Sequence, residues 1–314
     1  MKSTSKTIYL AQPRGFCAGV ERAILIVEEA LKKFGAPIYV RHEIIHNAYV
    51  VKDFESRGVV FINDLSLVPK GSILIFSAHG VSKAVRFEAD EQALTVFDAT
   101  CPLVAKVHAE VVSLKERGYQ IIMIGHHGHP EVEGTMGQVD GSIYLIERVS
   151  DVANLNFSQT DLLAYVTQTT LSIDETREIT TALLKRYPQI HAPKRQDICY
   201  ATQNRQDAVK VMGPHVDLVI VVGSQNSSNS KRLQELASSL HIPAYLVDDP
   251  IQIEKKWFRG VANIGITAGA SAPEALTAKI IEAVSVICKA KILTMDGIEE
   301  GVNFSLPKAL LEAA

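Results

Sequence analysis

The sequence predicts an α/β protein built from three consecutive parallel-sheet lobes arranged as a trefoil. Three observations predict it. Apolar runs of strand length alternate with polar–apolar helix patterns along the chain. A cysteine recurs three times in one setting, with a strand candidate before it and a helix pattern after it: Cys17, Cys101 and Cys199. Each cysteine segment is followed by two further strand–loop–helix units in the same order. The expected boundaries are 1–99, 100–196 and 197–314, the last including a C-terminal tail.

The first lobe opens with the strand run Thr7-Ile8-Tyr9-Leu10, the loop "AQPRGFCAGV" and a helix pattern over 20–34. Gly15 and Gly19 let the backbone approach whatever Cys17 touches. A helix N-terminus also favours a thiolate over a thiol. The next two units, "IYVRHEIIHNAYVVKDF" and "SILIFSAHGVSKAVRFEAD", carry His46 and His79 in their loops. The second lobe begins with "ALTVFDATCPLVAKVHAEVVSLKERG", in which Pro102 suits a first helical position. Its later loops hold His129, in "GHHGHPEVEGT", and Thr169, in "TQTT". The third lobe begins at "KRQDICYATQNRQDAVKVM" and continues through "DLVIVVGSQNSSNSKRLQEL" and "NIGITAGASAPEALTAKII", with Ser227 and Ser271 in the loops. His46, His129 and Ser227 fall at nearly equal distances after their cysteines.

Composition narrows the function classes. The chain has 314 residues, 47% hydrophobic and 21% charged, with a net charge of −3. These values suit a soluble globular protein and argue against a general nucleic-acid surface. No apolar run reaches membrane-spanning length and the first residues lack a signal core, which reads as a cytoplasmic protein with no membrane partner. Four cysteines in a reducing compartment are not expected to form structural disulfides. There is no CxxC pair. Cys288 lies in the apolar run "KIIEAVSVICKAK" and reads as a core residue.

In parallel sheets, ligands bind beyond the carboxyl ends of the strands. All nine polar loops follow strand candidates and so fall at such ends, where three lobes could gather them around one centre. Three thiolates there could hold zinc or an iron–sulfur cluster, and either would keep one position open. The polar residues suit an anion. His46, His79 and His129 can donate hydrogen bonds. Ser227, Ser228 and Asn229 fall at an expected helix N-terminus, and Ser271 lies among close backbone N–H groups. There is no GxxxxGK[ST] loop and no GxGxxG after a strand.

The stretches "PRGFCAGV", "VRHEIIHNAYVV", "FSAHGVS", "DATCPLVAKVH", "GHPEVEGT", "TQTT", "DICYATQNRQ", "SQNSSNS" and "TAGASAPE" together resemble the 4-hydroxy-3-methylbut-2-enyl diphosphate reductases of the methylerythritol phosphate route to isoprenoids. Gln12 and His127 depart from the familiar pattern, in which Asn and Glu stand. The resemblance implies a [4Fe–4S] cluster held by Cys17, Cys101 and Cys199, at the centre of the trefoil. It implies a diphosphate held by His46, His79, His129, Ser227, Ser228, Asn229 and Ser271, with Thr169 and Glu131 near the substrate hydroxyl. The implied reaction is a two-electron, two-proton reductive dehydration giving isopentenyl and dimethylallyl diphosphates. Electrons would come singly from ferredoxin or flavodoxin. Glu131 would supply the proton, its pKa raised by burial and by nearby negative charge. Two other readings compete: a non-redox dehydratase of the quinolinate-synthase kind, and a metal-bound sensor or anion-binding protein.

Overall fold

The computed structural model describes residues 6–141, 143–158 and 160–312. In chain order its strands are β1 (Thr7–Leu10), β2 (Ile38–Arg41), β3 (Val59–Ile62), β4 (Ile73–Phe76), β5 (Thr95–Asp98), β6 (Gln120–Ile124), β7 (Ile143–Ile146), β8 (Leu163–Thr167), β9 (Leu218–Val222), β10 (Ala244–Val247), β11 (Asn263–Ala268) and β12 (Lys291–Thr294). The helices are α1 (Ala18–Phe34), α2 (Ala48–Ser56), α3 (Lys83–Glu91), α4 (Pro102–Glu116), α5 (Pro130–Met136), α6 (Val149–Val152), α7 (Ile173–Arg186), α8 (Tyr200–Met212), α9 (Ser228–Ser239), α10 (Glu274–Cys288) and α11 (Lys308–Glu312).

The strands form three sheets, ordered β10-β9-β11-β1-β12, β3-β2-β4-β5 and β7-β6-β8. Every strand pairing is parallel, as the alternation of strands and helices predicts. Strands covered on both faces read as continuous apolar runs. Leu218-Val219-Ile220-Val221-Val222 of β9 is buried at all five positions, whereas β12, at the sheet edge, is exposed at all four. Burial of each such aliphatic side chain contributes about 1.5–3 kcal/mol.

All three sheets share one plan. The first strand of each set lies between the second and the third: β2 between β3 and β4, β6 between β7 and β8, β9 between β10 and β11. The strand that precedes a cysteine then adds beside the third. β5, before Cys101, pairs with β4, and β1, before Cys17, pairs with β11. The expected consecutive boundaries are therefore out of phase with the sheets by one unit. The strand before Cys101 joins the sheet of the two polar units before it, and β1, before Cys17, joins the last sheet between β11 and β12. Local periodicity identifies a strand but not its partner, which is why the sequence left this open.

A second correction concerns Cys199. Among the described residues, no strand stands directly before it. Only an isolated parallel bridge, Ala164 with His191, stands where the other two sheets have a fourth strand. The "HAPKRQDIC" stretch has three charged residues, Lys194, Arg195 and Asp197, and a proline where an apolar run would be needed.

By contacts, the chain divides into two compact units. One contains the described residues up to Val20, His46–Asp53 and Tyr200–Asn303, and with them the five-stranded sheet. Its largest core cluster centres on Ile8, Ile220, Ile264, Ile266, Ile280 and Val284. The other contains Glu21–Ile45, Phe54–Cys199 and the described residues from Phe304 onward, with the other two sheets. Its cores gather around Leu74 and Phe76 in one sheet and Ile122, Ile124 and Leu183 in the other.

Candidate active site

In each sheet the first and third strands lie side by side, and their connections leave in opposite directions. This is a topological switch point, where the loops at the carboxyl ends open a crevice for ligands. The polar residues expected from sequence fall there in pairs. His46 follows β2 and His79 follows β4; His129 follows β6 and Thr169 follows β8; Ser227 follows β9 and Ser271 follows β11.

The cysteines share a position too. Cys17, Cys101 and Cys199 each stand immediately before a helix, α1, α4 and α8 respectively. Each is half-buried and in no disulfide, whereas Cys288 closes α10 and is buried. Pro102 occupies the first turn of α4, as expected. Each cysteine N–H donates to the loop after its sheet's third strand: Cys17 to Ala270 O (3.3 Å), Cys101 to Ala78 O (3.0 Å) and Cys199 to Thr169 O (3.0 Å). Burial pushes the Cys17 thiol pKa up, against the Arg205 cation and the Val20 and Gly19 N–H groups. Among the described residues, no three His, Cys, Asp or Glu side chains gather as a site for a single metal ion.

In the first unit the site is neutral and hydroxylic. Ser227 caps α9, its Oγ accepting from Ser230 N (3.3 Å). A chain of hydroxyls runs from Ser230 Oγ to Ser227 Oγ (3.0 Å), on to Ser271 Oγ (3.1 Å) and from there to the His46 carbonyl (3.1 Å). Gly223 and Gly269 are required here, because a side chain on either would run into Ser230 Oγ. Asn229 is 4% exposed, and neither its Nδ2 nor its Oδ1 has a partner. A buried amide without a protein partner costs stability, so the donor and acceptor of Asn229 suit a polar group placed beside them.

In the second unit the site is titratable. Glu131, in the first turn of α5, is 3% exposed. Its Oε1 accepts from Thr169 N–H (2.6 Å) and its Oε2 from Thr169 Oγ1 (3.0 Å). Burial pushes the Glu131 carboxyl up to about 7, outweighing those two hydrogen bonds; Asp197 adds to the rise. His129 caps the same helix, and its Nδ1 accepts from Glu131 N–H (3.1 Å), so the neutral ring carries its proton on Nε2. The His79 and His129 rings meet edge to face, with centroids 5.8 Å apart. Gly134 permits this approach: a Cβ there would press on the Gly80 backbone at 3.2 Å. His127 is exposed and Gln12 half-buried, so the two departures from the familiar pattern leave these groups intact.

Two residues in the "DICYATQNRQ" stretch were not singled out from sequence. Asp197 is buried, accepts from Thr167 N (3.0 Å) and faces Lys106 Nζ at 3.3 Å; burial still raises its pKa to about 6. Arg205 is 1% exposed and reaches the Cys17 loop. The signal was present for Arg205: it falls on the buried stripe of α8 with Ala201, Ala208, Val209 and Met212.

The LytB protein family model matches residues 8–285. The chain belongs to the LytB family. LytB relatives named 4-hydroxy-3-methylbut-2-enyl diphosphate reductase include one from a Polaromonas species, 60% identical over 303 residues, covering 96% of this chain and 91% of the relative. One from an Azoarcus species is 60% identical and covers 98% of both chains. Among solved structures, the E-1-hydroxy-2-methyl-but-2-enyl-4-diphosphate reductase of Plasmodium falciparum superposes with a TM-score of 0.95 at 43% identity, covering 98% of this chain and 97% of that one. A second, described as (E)-4-hydroxy-3-methyl-but-2-enyl diphosphate reductase and the terminal enzyme of the non-mevalonate pathway, gives 0.64 at 31%, covering 90% and 99%. The fold is thus the LytB fold of three parallel sheets, and no described helix is long and apolar enough to cross a membrane.

Proposed function

We propose that this chain is an iron–sulfur oxidoreductase that converts (E)-4-hydroxy-3-methylbut-2-enyl diphosphate to isopentenyl and dimethylallyl diphosphates, the last step of the methylerythritol phosphate pathway. The observation that carries this reading is near-full-length similarity, at 60% identity, to relatives bearing that name. The reaction takes up two electrons and two protons as the allylic C–O bond breaks, and the hydroxyl leaves as water.

The donor set fits a [4Fe–4S] cluster. Three cysteines in no disulfide, at equivalent positions before helices, would supply as thiolates a soft set suited to iron–sulfur ligation, and the buried Cys288 is not part of it. Cys17, Cys101 and Cys199 would hold it. When bound, such a cluster supplies single electrons and, at an iron without a protein ligand, a Lewis acid. Ferredoxin or flavodoxin is the expected donor, in the cytoplasm.

The chain's own groups do the rest. Ser227, Ser228, Asn229 and Ser271, with His46, His79 and His129, bind the diphosphate. The orphaned Asn229 amide supports this assignment, and His129 offers its Nε2–H. Glu131 holds the proton: with a pKa of about 7 it is close to half protonated at neutral pH. When Glu131 is ionised, the Thr169 hydroxyl donates to it. On protonation that hydroxyl turns outward and accepts from the carboxylic O–H across the same 3.0 Å, freeing its own proton for the leaving oxygen. The Thr169 N–H keeps the carboxyl in place throughout.

The test is an anaerobic assay of the cluster-loaded protein with a reduced one-electron dye and the diphosphate alcohol, with product identification. The two C5 diphosphates are expected. Turnover without an electron donor would overturn the reductase in favour of a simple dehydratase.

A further inference from the structure

Arg205 uses its whole guanidinium. Nε and Nη2 donate to the Gly15 carbonyl (3.0 and 2.7 Å), and Nη2 also donates to the Phe16 carbonyl (3.2 Å). Nη1 donates to Ala201 O (2.9 Å). The remaining contacts form a fork on Glu300, Nη1 to Oε1 at 2.9 Å and Nη2 to Oε2 at 3.3 Å. Gly15 and Phe16 are the two residues before Cys17. Gly15 has φ 72, and the Ala272 carbonyl lies 3.3 Å from where its Cβ would be, so this loop has one backbone path.

Glu300 belongs to the stretch beyond β12 that has no regular structure. Asn204 Nδ2 also donates to it (3.0 Å). Three residues earlier, Gly297 lies so close to Gln12 that a Cβ there would run into the Gln12 backbone. The C-terminal stretch therefore meets the Cys17 loop directly at Gln12 and, through Arg205 of α8, indirectly at Gly15 and Phe16, all within one compact unit. A buried ion pair is weak evidence for stability, because an apolar replacement often serves as well. What such a replacement could not do is grip two carbonyls and a carboxylate in fixed geometry.

We infer that residues 296–300 form a strap, fastened through Arg205 and Glu300, that fixes the Cys17 loop for cluster binding. Arg205 and Glu300 are positioning residues, and this inference rests on the cluster assignment made above. Their charges act on Cys17 with opposite sign, so Glu300 compensates the cation beside that ligand.

The test uses full-length, anaerobically purified, cluster-loaded protein as wild type, Glu300→Gln and Arg205→Lys. The readouts are the cluster reduction potential, from an EPR-monitored titration, and the rate of iron release to a chelator. Glu300→Gln keeps the shape and an acceptor but removes a negative charge, so the potential rises at near wild-type iron content. Arg205→Lys keeps the charge but loses the fork, so iron leaves about tenfold faster or more, as expected for lost charge-assisted bonds. A Glu300→Gln potential equal to wild type overturns the inference, whether or not Arg205→Lys folds. A wild type that takes up no cluster overturns the cluster assignment as well. A loaded wild type with an unchanged Glu300→Gln variant removes the strap alone.

Discussion

The loops after β9 and β11 and the loops after β6 and β8 occupy the same place in two copies of one sheet plan, yet their chemistry is opposite. The first pair presents a run of neutral hydroxyls, Ser230, Ser227 and Ser271, beside an amide without partners. The second presents a buried carboxyl poised near neutrality on a threonine. A switch point fixes where a ligand meets the protein. It leaves the chemistry to the side chains placed there. Neutral donors can accept a permanent anion without titrating, whereas a proton donor has to titrate near the working pH.

The largest effect expected tests what the two regions share. Cys17→Ser, Cys101→Ser or Cys199→Ser should abolish or cripple iron and sulfide content, because a hydroxyl is a poor substitute for a thiolate ligand. Cys288→Ser, in the core at the end of α10, should leave it unchanged. Iron and sulfide analysis after anaerobic purification decides this, and the reverse pattern would break the assignment.

Next comes the titratable region. Glu131→Gln keeps shape and hydrogen bonding but cannot cycle a proton, so kcat should fall by roughly 10²-fold or more with the cluster intact. The pH profile adds a sign. Glu131 is protonated below about 7, so wild-type kcat should decline as the pH rises past that value. The residual activity of Glu131→Gln should lack this limb, and an identical limb in the variant would take Glu131 out of the proton path.

The neutral region should respond differently. Ser271→Ala or Asn229→Ala should raise KM for the diphosphate by roughly tenfold to a hundredfold, the equivalent of about 1.5–3 kcal/mol for a hydrogen bond to a charged group. Iron content and the pH profile should not change. Calorimetry on the oxidised protein would expose the error if binding were unaffected.

The smallest effect is on stability. The folded-state pKa of Glu131, about 7, lies above its ordinary 4.5, so the folded protein binds the extra proton. Its stabilising influence is complete below about 4.5 and is lost as the pH rises through about 7. Relative to wild type, Glu131→Gln should therefore gain in melting temperature between pH 5 and pH 8. A constant difference across that range would show that the carboxyl does not titrate as its burial implies.

Much of this site was legible as residue types in order. Strand-ending loops with His, Ser, Thr and Cys could be read because parallel strands are short apolar runs with clear ends, as in β6 and β9. The proline after Cys101 announced its helix. What was not legible depended on partners distant in the chain. β1 looks like the beginning of a lobe until β11 is seen beside it. The stretch before Cys199 occupies the place of a strand, but its proline and three charges already spoke against one, and the structure has only the bridge from His191 to Ala164 there. Arg205 was visible only as a charge on an apolar stripe, since its meaning lies in Gly15, Phe16 and Glu300. Glu131 could be located, but the balance between burial and two Thr169 hydrogen bonds that sets its proton affinity is three-dimensional.

The place of β1 has a consequence for how the molecule is made. Strands β2–β5 and β6–β8 complete their sheets from contiguous stretches, so each can assemble as it leaves the ribosome. β1 is synthesised long before β11 and β12, the strands it pairs with. At about 5–20 residues per second it waits roughly tens of seconds for partners. Throughout that interval Ile8 and Leu10, buried in the finished protein, are open to water and to other chains. The nascent protein thus carries β1 as an unpaired apolar strand until β11 and β12 have emerged, and there a chaperone that shields extended apolar segments would do most to prevent misassembly.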